Sequence, residues 1–588
     1  MKRRLTLIIA IIFFCTLIPF TAFAADIAPA DGYNDHDYDK IRNFLNLPSS
    51  AAGVTNGQAV NPAYNPDDPT TWTGVTWNAD PEKRVTEIGT VASWREKGLA
   101  GSLDLSGMTA LTSLDCDLNA ITELNLTGNT ALTHLFVDYN ALTALDISTN
   151  TALSSLYCYD NSLTSIDVSS NLQLLQIMVG GNDISTIDVS NNLLLENFAI
   201  SNTLISTIDL SANTALYTFS CGESALTSLD LSANTALAYL DCRNLDLGTL
   251  DVTLNTALIT LVAYDCGFTS IDLSQNILLE SLYLSDDDIT SLDVSSNTAL
   301  NLLGIRNCHI TSLDLSNNTL LTYLYCSHNN LSALDVSNNT LLTDLYCASN
   351  SLTSLDVSML PLLLEFDCDD NAIPVVDVSA NLLLAELECD GNGLTSLDVS
   401  NNTALLWLSC DNNQLSAIDL SANPLLVYFD ANDNQFTSLD FSANPALAQL
   451  FVYNNELTSL DISANNLIYR LRSFGNPLTQ IDADINGSAI SLTAGSGGTL
   501  DLNCYGESFY AKAVPDSGMS FVDWTSGGTQ VGTAAQHDLS DNTDYTLTAN
   551  FAVQNPETGG GNAVLWILPI ALLIAAAGVI LLRRRHTF

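Results

Sequence analysis

The chain has 588 residues, of which 65 are Asp or Glu and only 17 are Lys or Arg, so its formal net charge at pH 7 is −48. This charge argues against binding to nucleic acid or to anionic lipid, because both need clustered basic side chains. Apolar residues make up 47% of the chain, which is too many for a disordered acidic tail and enough to build a buried core.

Residues 1–24 have the features of a secretory signal peptide. Residues 2–4 are basic, residues 5–20 are almost wholly apolar, and residues 22–24 read Ala-Phe-Ala, a small-x-small cleavage site. This order is typical of an export signal, so we expect the mature chain to begin near Ala25. An uncleaved membrane anchor is the alternative.

Residues 25–103 differ in composition from the rest of the chain and contain no repeat. Ile41, Phe44 and Leu45 have helical spacing, and residues 84–88 have the composition of a strand. We assign Trp72 and Trp77 to the core of this segment rather than to ligand contacts.

Residues 104–486 form one repeating array. An Asp in the pattern Leu/Ile-Asp-Val/Leu-Ser recurs every 21 residues from Asp104 to Asp482, with Asn125 as a substitute, which gives nineteen units without insertion or deletion. One such unit cannot bury its apolar face alone, whereas stacked units share a continuous core. The array is therefore predicted to be a solenoid, with residues 25–103 as the cap of its N-terminal end.

The unit around Leu408 illustrates the predicted coil. Leu408 and Cys410 alternate inward along a short strand, and Asn413 turns the chain so that its amide can bond the backbone of neighbouring coils. Residues 418–420 alternate again, which predicts a second short strand on the outer flank. Little helix is expected, because the segment after each marker Asp is short and rich in turn formers.

The cysteines follow the same period. Nine of the 13 occupy the position of Cys410, and other units carry Val, Ile, Ala, Leu or, in the last unit, Ser473 there, so the position is interpreted as a buried apolar slot. Stacked side by side, their Cβ vectors do not suit a disulfide, which predicts free buried thiols. Cys266 and Cys308 replace the turn Asn, and the chain contains no Cys-x-x-Cys motif of zinc or redox sites.

The pattern Leu-x-x-Leu-x-Cys-x-x-Asn-x-Leu resembles the leucine-rich repeat, and the 21-residue period with a cysteine ladder resembles the internalin family, in particular its internalin J branch. The resemblance covers about two-thirds of the chain. It implies a β-rich, right-handed solenoid with a parallel concave sheet, an N-terminal cap like those that precede leucine-rich repeats, and an adhesin-like role at a cell surface.

Residues 487–554 leave the period and show short β-like runs, with Phe521 and Trp524 as expected core residues. The segment resembles the small bacterial surface β-repeat modules found beside internalin arrays. We expect a small β module that acts as a spacer.

Residues 555–588 combine the pentapeptide Asn555-Pro556-Glu557-Thr558-Gly559, an apolar stretch at 563–582 that is long enough to span a bilayer, and three arginines. This order resembles the sorting signal of Gram-positive surface proteins, with Asn555 where Leu is usual. The resemblance implies that a sortase cleaves after Thr558 and links it to peptidoglycan. The protein would then be exported, pass through a single-pass membrane stage and end anchored in the cell wall; a plain membrane anchor is the alternative.

The sequence predicts no enzyme and no cofactor. The six His residues form no metal-spaced group, and neither a phosphate-binding loop nor a nucleophile elbow is present. The ladder of marker Asp residues is interpreted as a hydrated outer edge bonded to turn amides and Ser hydroxyls; cation binding is the alternative.

The outward positions of the concave strands are the candidate binding site, because packing within the repeat does not dictate them. Exposed aromatic side chains beside carboxylates favour docking of a partner, although Tyr also suits strands for its β-propensity. The candidate residues are Tyr283, Tyr323, Tyr325, Asp344, Tyr346, Glu365, Asp367, Asp369, Glu386, Glu388, Asp390, Trp407, Tyr428, Asp430, Phe451 and Tyr453.

These features predict a surface protein that binds a partner along its concave face. A protein ligand, basic to suit the acidic centre, is the first hypothesis. The second is a glycan that stacks on Tyr and Trp, and the third is a passive structural surface layer.

Overall fold

The computed structural model describes residues 32–485, 488–505, 508–539 and 545–554. The predicted signal peptide at 1–24 and the predicted sorting signal at 555–588 lie outside these residues. Among the residues that are described, no helix has the length and apolar character needed to cross a membrane. The chain divides into two compact units, Met1–Leu426 and Val427–Phe588.

The first unit begins with a helical cap. Its helices are Asp35–Leu45 and Asn56–Val60, its 3-10 turns are Pro69–Thr71 and Thr90–Ala92, and its strands are Val75–Trp77 and Val85–Ile88.

Aromatic contacts and one ion pair hold the cap together. The predicted core residues Ile41, Phe44 and Leu45 are buried, and the rings of Phe44 and Trp94 stack 5.6 Å apart. Trp72 is buried as predicted, whereas Trp77 is only half-buried.

The ion pair joins the first helix to the second strand of the cap. The guanidinium of Arg84 donates to both carboxylate oxygens of the fully buried Asp37, at 2.8 and 2.9 Å. Strand Val85–Ile88 pairs in parallel with Ser113–Asp115, so the cap starts the sheet of the solenoid.

Each coil of the solenoid contributes one strand of three residues to a parallel sheet. In the first unit these strands are Ser113–Asp115, His134–Phe136, Ser155–Tyr157, Gln176–Met178, Asn197–Ala199, Thr218–Ser220, Tyr239–Asp241, Thr260–Val262, Ser281–Tyr283, Leu302–Gly304, Tyr323–Tyr325, Asp344–Tyr346, Glu365–Asp367, Glu386–Glu388 and Trp407–Ser409. The central side chain of each strand is buried and its two neighbours are mostly part-exposed, as the alternation predicts. The first and third side chains of these strands are called the strand face.

The cysteine ladder lies just after the strands. Every cysteine of the described residues is a buried free thiol, as the sequence predicts. Burial raises the pKa of the Cys326 thiol to about 12, which keeps it protonated and unreactive in the folded chain. The Sγ–H groups of Cys266 and Cys308 donate to carbonyls of the preceding coil, Cys242 at 3.0 Å and Leu284 at 2.8 Å. Each of these thiols thus donates to the carbonyl that the turn Asn of other coils would reach.

The turn Asn itself bridges coils as expected. The amide of Asn413 donates to the carbonyls of Cys389 and Cys410 at 3.0 and 3.1 Å, and its oxygen accepts the backbone N–H of Leu394 at 2.9 Å.

A second series of asparagines is fully buried and was not predicted from the sequence. In Asn318, which is typical, the Nδ2 group donates to the carbonyls of Val294 and Asn297, at 3.0 and 2.9 Å. Each donor therefore ties its coil to the coil before it. This asparagine ladder comprises Asn129, Asn150, Asn171, Asn192, Asn213, Asn234, Asn255, Asn276, Asn297, Asn318, Asn339, Asn381, Asn402 and Asn423 in the first unit.

The predicted strand on the outer flank is wrong for most coils. Among the described residues of the first unit only Ala100–Asp104 and Ala120–Asn125 pair there as strands, and single bridges join Asn125 to Asp146 and Asp377 to Asp398. Elsewhere the extended segment is too short for a ladder. In one coil it is limited to residues 333–336, between a bend and the turn that the marker Asp forms by accepting the amide two residues later.

Most marker carboxylates, from Asp146 to Asp461, are exposed, and they bond to turn amides as the sequence predicts. Asp314 Oδ1 accepts the backbone N–H of Ser316 at 3.0 Å. This hydrogen bond and a second from the Ser316 hydroxyl lower the pKa of Asp314.

The second unit contains parallel strands Tyr428–Asp430, Gln449–Phe451 and Arg470–Arg472, and a flanking pair, Ser459–Ile462 and Gln480–Ile485. The β module follows, with strands Ser488–Ala494, Gly498–Tyr505, Ser508–Pro515, Met519–Ser526, Thr529–Gly532, Gln536–Asp538 and Tyr545–Val553.

The β module continues directly from the last coil. Ser488–Ala494 pairs antiparallel with Gln480–Ile485, and Gly498–Tyr505 pairs antiparallel with Arg470–Arg472. Trp524 is fully buried, as predicted, whereas Phe521, the other predicted core residue, is only half-buried and packs on Trp524 with the ring centroids 5.7 Å apart. The module therefore covers the C-terminal end of the array.

Candidate ligand-binding face

The sheet brings the predicted residues of the first unit into two columns. In one column Tyr323, Asp344, Glu365, Glu386 and Trp407 are paired in register, strand after strand. In the other column the order is Tyr283, Gly304, Tyr325, Tyr346, Asp367 and Glu388. Tyr323 is exposed, Gly304 is buried, and the other residues of the two columns are part-exposed.

Carboxylates concentrate in the middle of these columns. We define the acidic patch as Asp344, Glu365, Asp367, Asp369, Glu386, Glu388, Asp390 and Asp411. The sequence contains no Lys or Arg between Arg306 and Arg470. In-register carboxylates on adjacent parallel strands repel one another, so the patch stores electrostatic repulsion that a cation can relieve.

Asp369 and Asp390 are part-exposed carboxylates of the patch that accept hydrogen bonds from the next coil. Asp369 accepts the backbone N–H of Asp390 at 2.6 Å, and Asp390 accepts the N–H of Asp411 at 2.7 Å and the Ser409 hydroxyl at 2.8 Å. Burial, followed by the neighbouring charge of Asp367, raises the pKa of Asp369 well above its usual range. Burial and the charges of Asp369 and Asp411 do the same to the pKa of Asp390.

The same position carries carboxylates near the start of the array, the buried Asp117 and the part-exposed Asp138. Asp117 accepts the N–H of Asp138 at 2.7 Å, and Asp138 accepts that of Tyr159 at 2.6 Å. Burial raises the pKa of these carboxyls to about 6 and about 7. At this position the carboxylate therefore accepts a backbone N–H of the next coil, but it loses part of its own hydration.

One group of carboxylates could hold a metal ion. Single oxygen atoms of Asp367, Asp369 and Glu388 lie within 4.8 Å of one another. Carboxylate oxygens suit hard cations such as Ca²⁺, although three ligands are fewer than the six to eight that Ca²⁺ takes. The sequence predicted no metal site, and this group alone does not amount to a complete one.

Aromatic side chains border the acidic patch at one edge. The rings of Tyr325 and Tyr346 stack with their centroids 5.0 Å apart, and the Tyr346 hydroxyl donates to Glu365. Burial raises the pKa of Tyr325 to about 12. A side chain at Gly304 would come within 3.2 Å of the Tyr283 ring, so glycine there makes room for that ring. At the other edge Trp407 lies in register with Glu386.

The strand face of the second unit differs from the prediction at one residue. Phe451 is only 5% exposed, whereas the sequence predicted an outward aromatic. The Tyr428 ring lies 5.5 Å from the Phe451 ring, and the Arg470 guanidinium lies over that ring at 5.2 Å. Tyr428, Asp430 and Tyr453 remain part-exposed. The sequence contained a signal for the burial of Phe451, because Arg470 is a long side chain at an outward position of the next coil.

A family model and solved structures are similar to this chain, whereas no curated protein sequence matches it. The family model is the divergent InlB B-repeat domain, which matches residues 488–555. The functional domain of InlJ from Listeria monocytogenes, which includes a cysteine ladder, is 26% identical with a TM-score of 0.50, over 76% of this chain and 91% of that one.

Two further structures share the fold. YopM from Yersinia enterocolitica WA-314 is 24% identical with a TM-score of 0.53, over 65% of this chain and 87% of that one. The leucine-rich-repeat ectodomain of the plant receptor kinase GASSHO1/SCHENGEN3 from Arabidopsis thaliana, in complex with CASPARIAN STRIP INTEGRITY FACTOR 2, is 18% identical with a TM-score of 0.52. That match covers 75% of this chain and 64% of the receptor.

These likenesses confirm the predicted fold class. The chain forms a leucine-rich-repeat β-solenoid of about 18 turns with few helices, and a cysteine-ladder internalin is among the structures that it resembles.

Proposed function

We propose that the protein is a non-enzymatic binding protein of the cell surface, and that its acidic patch binds a cationic protein partner. The carrying observation is the convergence of eight carboxylates on adjacent coils, bordered by Tyr325, Tyr346 and Trp407. Tyr and Trp are the side chains that most often anchor protein interfaces.

The charge distribution supports a cationic partner over a neutral one. Lys or Arg side chains of a partner would relieve the repulsion between paired carboxylates such as Glu365 and Glu386. The surrounding field would also speed the encounter, because complementary charge acts chiefly on the association rate. Screening by salt should therefore weaken the interaction.

The test reverses charges on two flanks of the same coils. Glu365→Lys with Glu386→Lys alters the acidic patch, and Asp356→Lys with Asp377→Lys makes the same change in net charge on the outer flank. With poly-L-lysine as the probe in low salt, we expect the patch variant to reduce the association rate constant at least tenfold and the control less than about threefold, since steering depends on local charge.

The difference should shrink at 0.5 M salt, and circular dichroism should show both variants folded. Equal losses in the two variants would mean that only the net charge of the protein attracts the probe, and the proposed site would be wrong.

Glycan binding is the second candidate, because the stacked pair Tyr325–Tyr346 and the part-exposed Trp407 offer faces on which a sugar ring can pack. Stacking on a neutral sugar depends little on salt. Binding on a glycan array that persists at 0.5 M salt and is lost with Tyr325→Ala and Trp407→Ala would favour this candidate. Failure of both probes would favour the third hypothesis, a passive surface layer.

We further propose that the chain is exported and anchored through the sorting signal at Asn555–Gly559, with a sortase as a transient partner and peptidoglycan as the attachment point. The motif order in the sequence is the support for this proposal. We expect Thr558→Ala to leave the protein extractable by detergent, whereas the unmodified protein should require digestion of the cell wall. Detergent release of the unmodified protein would instead indicate a plain membrane anchor.

A further inference from the structure

A row of exposed leucines borders the acidic patch. Leu320, Leu341, Leu362 and Leu383 occupy the same position in four consecutive coils and are 38–49% exposed. Leu364 and Leu406 lie nearer the strands and are 41% and 46% exposed. We call these six residues the leucine ridge.

The fold itself does not require leucine in this row. The next residue in each coil, such as Leu321 or Leu363, is the fully buried one that fills the core. Other coils of the first unit carry alanine at the ridge position, as at Ala215, Ala236 and Ala299, or a leucine between alanine or glutamine neighbours. A continuous run of exposed leucine is costly in water, and three of its four coils, those of Leu341, Leu362 and Leu383, carry the acidic patch.

The ridge lies at the edge of the sheet that displays the patch. Leu362 precedes Glu365 by three residues, so their Cα atoms are at most about 11 Å apart. The backbone N–H of Leu364 donates to the carbonyl of Thr343 at 2.7 Å, and that of Leu406 to the carbonyl of Ala385 at 2.8 Å. These hydrogen bonds continue the strand pairing, so the ridge and the acidic columns run parallel from coil to coil.

The spacing of the ridge matches one face of an α-helix. Adjacent parallel strands are about 4.8 Å apart, and one helical turn rises about 5.4 Å. Over four coils the mismatch between these two repeats therefore adds up to only about 2 Å. Side chains on one face of an extended strand are about 6.7 Å apart and would lose register after two coils.

We propose that the leucine ridge and the acidic patch form one docking surface for an amphipathic, cationic helix of a partner. Its apolar side chains would pack on the ridge, and its Lys or Arg side chains would reach the carboxylates. A second copy of this chain does not fit, because it would bring a net charge of −48 and the same acidic patch. The proposal rests on the proposed function and names the class of partner.

The probes are two synthetic peptides with the same content of Leu, Lys and Ala. One places leucines at helical spacing on one face, and the other has the same residues in scrambled order. The ridge variant is Leu341→Ala with Leu362→Ala. The control variant is Leu194→Ala with Leu278→Ala, which changes leucines of the same coil position that are 46% and 51% exposed. Alanine occurs naturally at this position, so both variants should fold.

We expect the full chain to bind the amphipathic peptide at least tenfold more tightly than the scrambled one. The ridge variant should lose most of this preference, and the control variant should keep it. If the two peptides bound with equal affinity and Glu365→Lys with Glu386→Lys still reduced binding, the leucine ridge would have no part in docking, but the proposed function would remain supported. No binding of either peptide would contradict both.

Discussion

Asn318→Asp should destabilise the solenoid by about 3–5 kcal/mol, because one buried donor group becomes an acceptor. The Asn318 side chain is fully buried, and its Nδ2 group donates to the carbonyls of Val294 and Asn297. Aspartate leaves both carbonyls without this donor and buries a carboxyl group beside them. Chemical denaturation followed by circular dichroism would measure the loss.

The chain provides two controls for this substitution. Asn317→Asp makes the same chemical change on an exposed neighbour, whose amide donates once, to the carbonyl of Ser295 at 3.1 Å, and should cost less than about 1 kcal/mol. Asn318→Leu should fall between the two, because Leu360 occupies the ladder position in another coil. If Asn318→Asp were as mild as Asn317→Asp, the ladder would not hold the coils together.

Much of the fold could be predicted because one constraint is repeated without interruption. A spacing of 21 residues places Leu408 and Cys410 in the same environment as their counterparts in the other coils. A position that accepts Cys, Val, Ile and Ala is therefore predicted to be apolar and buried, and it is buried even in the last coil, where Ser473 occupies it. The turn Asn could be predicted for the same reason, since it recurs in most coils and substitutes such as Cys266 and Cys308 retain a donor.

The asparagine ladder was missed because its residue type is ambiguous. Asparagine beside Ser and Thr suggests an exposed turn, and only the three-dimensional path of the chain shows that Asn318 points inward. The internal repeat did carry a signal, since Asn recurs at this position in nearly every coil while the residue before it varies. A solvated turn residue would vary as its neighbour does.

The candidate site was predicted in outline, because alternation along a strand settles which side chains point outward. It could not settle how neighbouring side chains cover one another. Arg470 packs over Phe451 and removes that ring from the surface, and Tyr346 donates its hydroxyl to Glu365. The leucine ridge was missed for a related reason. In a repeat whose core is leucine, an exposed leucine is indistinguishable from its buried neighbour until the chain is folded.

The paired substitution Asp369→Asn with Asp390→Asn should stabilise the protein at pH 8 and have a smaller effect at pH 5. Burial raises the pKa of both carboxyls, and so do neighbouring charges: those of Asp367, Glu388 and Asp411 at Asp369, and those of Asp369 and Asp411 at Asp390. The folded chain therefore keeps protons that the unfolded chain releases above the ordinary aspartate pKa of about 4. These two carboxyls therefore contribute less and less to stability as the pH rises above about 4, and the amides remove their share of the pH dependence.

Asparagine can keep the hydrogen bonds of these carboxylates while removing their charge. In the second unit Asn432 occupies the same position, and its side-chain oxygen accepts the backbone N–H of Tyr453 at 3.0 Å. Because both aspartates are partly solvated, we expect a gain in the free energy of unfolding of only about 1–3 kcal/mol at pH 8.

The control is Asp335→Asn with Asp356→Asn on the outer flank, where hydrogen bonds from Ser337 and Ser358 lower the pKa of the carboxyls. Neutralising those groups should not stabilise the protein at any pH. Thermal unfolding of the three proteins at pH 5 and pH 8 would test this prediction. If the unfolding midpoint of the Asp369/Asp390 variant at pH 8 did not exceed that of the unmodified protein, ionisation of these two carboxyls would not destabilise the folded chain.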